Sequence, residues 1–316
     1  MRGYVTKRLL IAAVTLVGMS MVIFFLMRLA PGNIVDILFE SAGYVDQADK
    51  KQLERELGVD RPLVVQYARW VGEVATGDLG KSYRYDMPAW KIIKPRLPVT
   101  LELAGLALLF SIVLGVPFGV LSAVHQDRPL DYVLRVLSLA GLSMPAFWLG
   151  MVVILVFVRS VGWMPSVTYV SPFVDLKANL WQFVVPALAV GYRSSALIMR
   201  ITRSAMLEVL REDYIRTAWA KGQRRTLVVW RHALKNASLP VITVIGIEFA
   251  FLIGGLVVTE QVFNLNGIGL LFVQAVAHRD YTLLQALVML VAGMFIFVNF
   301  LMDVAYAWLD PRIRYR

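Results

Sequence analysis

The chain contains no cysteine, so disulfide bridges and thiolate metal sites are excluded. Charged residues are also scarce: 17% of the 316 residues are Asp, Glu, Lys or Arg, against about a quarter in an average soluble domain. Hydrophobic residues make up 58%, and uncharged runs recur at roughly the 20-residue length that a bilayer-spanning helix needs. The composition predicts an all-α polytopic membrane protein.

Catalytic and metal-binding patterns are missing as well. The three histidines, His125, His232 and His278, lack the spacing of metal ligands, and neither H-E-x-x-H nor G-x-S-x-G occurs. The segment GDLGKSY contains Gly-Lys-Ser, but Ala75 stands where a phosphate loop has its first glycine. We therefore expect no catalytic residue, no metal and no cofactor in this chain.

Six transmembrane helices are predicted from the apolar runs, and they divide the chain into four parts. The N-terminal run is too long for the apolar region of a signal peptide, so it is interpreted as a retained first span. The spans are placed at about 9–29, 99–124, 135–158, 179–202, 238–259 and 282–306. The domains are 1–29 with the first span, an outer segment at 30–98, a five-helix transmembrane domain at 99–309 with a basic loop at 203–237, and a tail at 310–316.

The positions of Lys and Arg predict the orientation. The net charge is +10, and basic residues concentrate near both termini and in the loop at 203–237. Short cytoplasmic loops of membrane proteins carry such an excess. Six spans place these three regions on one side, so both termini and this loop are predicted to be cytoplasmic. The segment at 30–98 is then extracytoplasmic, with an exposed helix expected at 46–59.

Several residues within the spans are candidates for function. Glu248 lies near mid-span, where a charge is costly and fits either a functional group or a helix contact. Glu102 and Asp303 lie near span ends, where that cost is small. Pro145, Phe147 and Trp148 interrupt the third span with aromatic bulk; they are candidates for a substrate path, although ordinary helix packing uses the same residues.

The basic loop has the most distinctive pattern. YIRTAWAKGQRRTLVVWRHALKN (214–236) holds six Lys or Arg residues and no acid. Ile215, Ala218, Trp219 and Gly222 share one helical face. The small residues on it allow close approach to another surface, and Gly222 can end the helix with a positive φ. The residues alone fit docking on a protein and docking on lipid equally well.

The sequence of this loop is similar to a known family signature. EDYIRTAWAKG (212–222) and RHALKNASLPV (231–241) resemble the coupling loop of binding-protein-dependent ABC importer permeases, E-A-A-x-x-x-G followed after nine residues by I-x-L-P. Arg216 and Thr217 replace the Glu and the first Ala, while Ala218 and Gly222 match. Further on, His232 and Lys235 replace the Ile and Pro, and Leu234 is kept. These departures resemble the dipeptide/oligopeptide branch of the family.

The resemblance extends along nearly the whole chain. RLAPGN (28–33) is similar to the motif that follows the first span in that branch, with Asn33 in place of the usual Asp. Four more segments of the chain resemble signatures of that branch: 57–83, LSMPAFWLG (142–150), 262–281 and 301–316. The same order of motifs along the chain makes the likeness specific.

The resemblance implies the type I ABC importer permease fold and a role in transport. Such a subunit forms half of a translocation pore for a di- or oligopeptide, or for nickel, an opine or an oligosaccharide. Its partners are a second permease, two ATPase subunits that hold ATP and Mg²⁺, and an extracytoplasmic solute-binding protein. The location implied is the bacterial cytoplasmic (inner) membrane. The residues expected to couple to the ATPase are Tyr214, Arg216, Thr217, Ala218, Lys221, Gly222, His232 and Leu234.

Two other classes fit the composition. A stand-alone channel or ion-coupled carrier could use Glu248 as a relay, but the sequence shows no convincing internal repeat. A membrane-embedded enzyme is disfavoured because the catalytic patterns are missing.

Overall fold

The structure is a computed structural model that describes residues 2–29, 60–82, 84–164, 166 and 168–309. The helix expected at 46–59 and the tail at 310–316 lie outside these residues. The described elements, in chain order, are α1 (Arg2–Leu29), α2 (Leu63–Ala75), β1 (Lys81–Ser82), β2 (Met87–Pro88), α3 (Ala89–Ile93), α4 (Leu97–Val124), α5 (Pro129–Ser143), α6 (Ala146–Val161), α7 (Leu176–Val209), α8 (Asp213–Ala220), α9 (Arg225–Leu227), a π-helical segment (Val228–Ala233), α10 (Leu234–Gly255), α11 (Val257–Val262), α12 (Ile268–Ala277) and α13 (Tyr281–Leu309).

Five helices in the described part of the chain are long and apolar enough to cross a membrane. They are α1, α4, α7, the continuous helix Arg225–Gly255 and α13. An uninterrupted helix is expected for each of them because a backbone in lipid must satisfy its hydrogen bonds internally. The helices observed at the predicted fourth and fifth spans are longer than the apolar runs. They are Leu176–Val209 and Arg225–Gly255, and each includes polar turns outside its apolar run.

The third span is broken. α5 and α6 meet at an angle of 109°, so they make a sixth span only when they are counted as one. Pro145 causes the break: it has no N–H to donate, and it forces Met144 into extended backbone, with ψ at 131°. The continuous helix suggested by the apolar run at 135–158 is thus replaced by two helices.

Helices α4 and α7 form the closest pair in the bundle. A Cβ added at Gly115 would lie 2.8 Å from the Ser195 oxygen, and one at Gly119 would lie 2.6 Å from Thr202 Cβ. Gly191 faces the other helix in the same way, with the Ala107 oxygen 2.8 Å away. Small residues at helix contacts let two backbones approach closely in a membrane. The two helices are therefore packed tightly along much of their length.

The first and last spans lie side by side. α1 packs against α13, and Arg8 Nη2 is 3.1 Å from Asp303 Oδ1. The start of α1 and the last part of α13 therefore lie at the same end of the bundle. Helix α8 follows the end of α7 there, and we call this the α8 end.

The segment GDLGKSY folds as a turn and a strand at the opposite end. Gly80 has φ +81°, Lys81–Ser82 pairs antiparallel with Met87–Pro88, and the Ser82 hydroxyl donates to Asp280 Oδ2. The other carboxylate oxygen of Asp280 caps α13 by accepting from the Leu283 N–H at 3.1 Å. Gly-Lys-Ser therefore attaches the outer segment to the last span.

Candidate functional site

Helix α8 begins and ends with local signals in the sequence. Asp213 lies in its first turn, where a carboxylate interacts favourably with the helix dipole. At the other end Gly222 has φ +72°. Its N–H donates to the Trp219 oxygen at 2.9 Å, and the Gln223 N–H donates to the Ala218 oxygen at 3.3 Å. This pair of bonds is the Schellman motif, and the positive φ expected of Gly222 is present.

One face of α8 is buried against the chain itself. Ile215 is 0% exposed and Ala218 is 9% exposed. Both belong to an apolar cluster at the α8 end, whose other buried members are Val120, Ala123, Ala205, Met206, Val228, Val229, Ala233 and Ala237. The cluster covers the last turns of α4 and α7, which would otherwise leave apolar side chains uncovered outside the bilayer. Helix α8 is therefore fixed to the α4–α7 pair by hydrophobic packing.

The residues expected to couple to an ATPase therefore differ in exposure. Ala218 lies mostly against this intramolecular cluster. Trp219 and Tyr214 are each 41% exposed, and Arg216, Thr217, Lys221 and Gly222 are exposed as well. The available side of α8 carries these residues.

The residues that follow α8 divide in the same way. Leu234 packs against the cluster, and His232 is half-buried in the π-helical segment. The Asn236 amide donates to the Tyr214 hydroxyl at 2.7 Å, which links α10 to α8. Leu227 and Trp230, in the apolar run that follows α8, are 39% and 47% exposed. Their exposure follows from the fold and could not be read from the apolar run Leu-Val-Val-Trp.

A buried ion pair at the α8 end also escaped the sequence analysis. Asp131, in the first turn of α5, is 0% exposed. Arg203 of α7 donates from Nε to Asp131 Oδ1 at 2.8 Å and from Nη2 to Oδ2 at 2.7 Å. Ser122 of α4 also donates to Oδ1, and the Asp127 N–H donates to Oδ2 at 3.1 Å. The carboxylate thus joins three helices and the turn between two of them.

The candidates for a substrate path lie on two different elements. Pro145 is exposed at the bend, and Phe147 and Trp148 are 47% and 45% exposed at the start of α6. Glu248 is 9% exposed on α10, which packs against α4, α7 and α13. The bend thus presents a proline and two aromatic side chains together, whereas Glu248 belongs to the interior of the bundle.

The two acids predicted to lie near span ends have polar partners. The Tyr169 hydroxyl donates to Glu102 Oε2 at 2.9 Å, and Asp303 is paired with Arg8. These contacts are explained by helix and loop packing.

Another buried acid, Glu260, organises the end opposite α8. Thr100 Oγ1 donates to its Oε1 at 2.5 Å, and the Leu270 N–H donates to Oε2 at 2.9 Å. The carboxylate thereby accepts from the first turn of α12 and from the start of α4, and a Cβ at Gly267 would overlap it. Burial raises the pKa of Glu260, whereas the hydrogen bond from Thr100 and those from the Leu270 and Gly269 backbone act in the opposite direction. This joint holds α11, α12 and α4 together.

A membrane bundle with a broken third span and a short helix fixed across the ends of two spans has the architecture of a transport protein's membrane subunit. Residues 115–315 match the model of the family described as the binding-protein-dependent transport system inner membrane component, and residues 1–104 match the model of the N-terminal part of such membrane components. The chain belongs to this family of importer permeases. Members of the family work with ATPase and binding-protein partners in general.

The relatives confirm the branch that the motifs suggested. The dipeptide transport system permease protein DppB of Alkalihalophilus pseudofirmus is 38% identical, with both chains fully covered. The oligopeptide transport system permease protein AppB of Bacillus subtilis is 36% identical, again over both full chains. The DppB protein of Escherichia coli K12 is 37% identical over both full chains. All three are named as permeases, which agrees with a transport subunit rather than an enzyme.

A solved structure confirms the fold. A chain of the methionine ABC transporter MetNI, in an inward-facing crystal form, superposes with a TM-score of 0.58 at 19% sequence identity. The match covers 69% of this chain and 96% of that chain. The fold is therefore that of an ABC importer permease.

Proposed function

We propose that this chain forms half of the translocation pore of an ATP-driven bacterial importer of di- or oligopeptides. It pairs with a second permease, rests on two ATPase subunits that hold ATP and Mg²⁺, and receives its substrate from an extracytoplasmic solute-binding protein. The observation that carries the proposal is helix α8, which is fixed to the ends of α4 and α7 by Ile215 and Ala218 and leaves Tyr214 and Trp219 exposed on its other side.

The exposed side of α8 has the chemistry of a docking surface. Trp, Tyr and Arg are the residue types that contribute most to binding at protein interfaces, and Tyr214, Arg216 and Trp219 are all exposed here. Thr217 is exposed on the same helix, Lys221 and Gly222 directly follow it, and the half-buried His232 lies in the π-helical segment that packs against it. When the ATPases close on ATP, α8 is carried along and moves α4 and α7 with it.

The orientation follows from the same assignment. An α8 that meets cytoplasmic ATPases places both chain termini in the cytoplasm, in accord with the excess of Lys and Arg there. Residues 30–98 are then extracytoplasmic, the loop at 203–237 and the tail at 310–316 are cytoplasmic, and 99–309 is the five-helix domain shared with other importers. The first span at 1–29 is retained in the cytoplasmic (inner) membrane.

The substrate path is assigned to the bend between α5 and α6. Pro145, Phe147 and Trp148 are exposed where the third span breaks, and broken helices line cavities in transporters because irregular backbone is tolerated there. Glu248, on α10, is also assigned to the substrate path. Peptide is the proposed substrate class because relatives named for dipeptides and oligopeptides match over the full chain. Nickel, an opine or an oligosaccharide is the alternative within this branch.

The assembly is tested by purifying the tagged chain from its native membranes in mild detergent and identifying the retained proteins by mass spectrometry. Recovery of a second permease and of ATPase subunits supports the importer. Recovery of the chain alone, as a transport-competent homo-oligomer, refutes it and favours a channel or an ion-coupled carrier.

The docking surface is tested by replacing Trp219 with alanine. Removing a large aromatic anchor from an interface typically costs about 2 kcal/mol or more, which is roughly 30-fold in affinity. We expect the ATPases to be captured correspondingly less well. Trp181→Ala is the matched control, because Trp181 is 56% exposed at the opposite end. Equal capture by both variants would contradict docking through α8.

A further inference from the structure

We propose that the Asp131–Arg203 ion pair is the positioning element that makes α5, and with it the bend at Pro145, follow the motion of α8. The inference rests on the proposed function of α8 as the ATPase-coupling helix. It assigns a role in transport to two residues, 72 positions apart in the chain, that belong neither to the coupling helix nor to the candidate substrate path.

The first step is that α4 and α7 move as one body. Their backbones meet at Gly115, Gly119 and Gly191, where even a methyl group would overlap the other helix. Ser111 Oγ, on α4, lies 3.0 Å from the Gly191 oxygen of α7. Close-packed interiors transmit displacement instead of absorbing it. A push on one helix therefore displaces both.

The second step is that α8 pushes on this body directly. Ile215 and Ala218 pack with Val120 at the end of α4 and with Met206 at the end of α7. These four residues lie within one buried cluster, so α8 cannot move independently of α4 and α7. A displacement of α8 therefore reaches α4 and α7 directly and does not pass through α5.

The third step concerns α5, which is joined to the body most strongly at its first turn. Both oxygens of Asp131 are bound by the Arg203 guanidinium in a bidentate arrangement, and Ser122 and the Asp127 N–H complete the shell of donors. Bidentate pairs between Arg and a carboxylate add fixed geometry as well as energy. The start of α5 is thereby held to α4 and α7 in one orientation.

Beyond this turn, the attachment of α5 to α7 is weaker. Ser138 Oγ donates to the Ala196 oxygen at 2.9 Å, and the Tyr192 hydroxyl donates to the Leu137 oxygen at 2.7 Å. Both are neutral hydrogen bonds, which are roughly half as strong as charge-assisted ones. A small apolar cavity also lies between α5, α4 and α7 here, lined among others by Leu134, Phe118 and Met199. Along this stretch α5 is held by neutral hydrogen bonds and apolar packing, so its orientation is fixed most firmly at its first turn.

The consequence is a lever with one rigid attachment. Helix α5 leads from Asp131 directly to the break at Met144–Pro145, and α6 continues at 109° from it. With the ion pair intact, a displacement of α7 displaces α5 and the bend at Pro145 by a similar amount. Without the pair, α4 and α7 still move with α8, but the bend moves less than they do.

The functional test neutralises both partners at once with the double variant Asp131→Asn, Arg203→Gln. Changing both avoids leaving one charge buried alone, which would destabilise the fold by itself. The matched control is Lys81→Gln, Asp86→Asn, because that ion pair is exposed at the opposite end. Both variants are reconstituted in vesicles with the whole complex, and peptide uptake is measured per ATP hydrolysed together with ATPase capture.

We expect the Asp131→Asn, Arg203→Gln complex to capture its ATPases as the wild type does. Its uptake per ATP hydrolysed should fall about tenfold, within the usual range of coupling between two sites, and the control should be unchanged. Unchanged uptake per ATP would overturn the inference. Loss of ATPase capture together with uptake would also overturn it, because the pair would then only support the fold. A wild-type complex without ATP-driven uptake would instead refute the proposed function.

A distance measurement gives an independent readout. The chain has no cysteine, so Val136→Cys on α5 and Arg200→Cys on α7 are its only labelling sites for spin labels once any cysteines of the partner subunits have been replaced. In the otherwise wild-type complex, the label distance should be narrow and the same with and without ATP. In the neutralised variant, it should broaden or change with ATP. A wild-type distance that changes with ATP, or a variant that behaves like the wild type, would refute the role of the pair.

Discussion

Gly222 allows the docking of α8 to be separated from its folding. Replacing it with an L-residue forces that residue into the left-handed region at φ +72°, which costs about 1 kcal/mol. A Cβ there would meet no atom of the chain within 4 Å, so no steric cost is added within the chain. Gly222→Asn should cost less, because Asn adopts this conformation more readily than other residues. Membrane insertion and folding should survive both Gly222→Asn and Gly222→Trp.

The effect on the complex should be larger than the effect on the chain. If α8 lies in a cleft of an ATPase, a bulky side chain at Gly222 must open the interface, and overpacking of a close contact costs about 1–3 kcal/mol. The overpacking cost alone predicts roughly tenfold or greater loss of ATPase capture for Gly222→Trp, because the backbone cost is the same with and without the partner. Capture is measured from detergent-solubilised membranes, and coupling is measured as ATP hydrolysis stimulated by the loaded binding protein.

Gly162 offers a matched control for this experiment. It ends α6 with φ +66°, and a Cβ there would also meet nothing within 4 Å. Gly162→Trp therefore carries the same backbone cost at the end opposite α8. A difference between the two variants measures contact with the partner alone. Wild-type capture and coupling in Gly222→Trp would refute the docking of α8 in a cleft.

Two further predictions concern the stability of the bundle. Glu260→Gln replaces one carboxylate oxygen by an amide nitrogen that faces hydrogen-bond donors, so we expect a loss of about 2 kcal/mol in the free energy of unfolding. Thermal unfolding of the purified chain measures this loss. Wild-type stability would contradict the structural role of Glu260. Gly119→Ala should destabilise by about 2 kcal/mol because its Cβ would overlap α7. Gly105→Ala on the same helix, where a Cβ meets nothing within 4 Å, should stabilise by about 1 kcal/mol through helix propensity. Equal effects of the two alanines would rule out close packing at Gly119.

The spans were predictable because lipid leaves the backbone few alternatives. An apolar run of about 20 residues must satisfy its own hydrogen bonds and therefore forms a helix. The end of α8 was predictable for a similarly local reason, since glycine adopts positive φ without a steric cost. Pro145 marked an interruption, but the angle of 109° depends on what the next helix packs against. That information lies elsewhere in the chain.

The candidate site was only half predictable. Helical periodicity showed that Ile215, Ala218 and Trp219 share a face, but it does not say which surface covers that face. The structure divides it, with Ala218 turned to the chain's own core and Trp219 left accessible. Contacts between distant segments were beyond the sequence for the same reason. Asp131 and Arg203 are 72 positions apart, and neither position shows a local pattern that points to the other.

The pairing of α1 with α13 has a consequence for biosynthesis. Helix α1 is synthesised well before α13, against which it packs, and few residues of α1 are covered by the rest of the fold. Until α13 is inserted, the face of α1 that packs against α13 is therefore in contact with lipid. This is not costly, because lipid solvates an apolar helix surface as well as protein does. Arg8 can meet Asp303 only after α13 has been inserted, so this ion pair forms later than the contacts among the helices that lie between α1 and α13 in the chain.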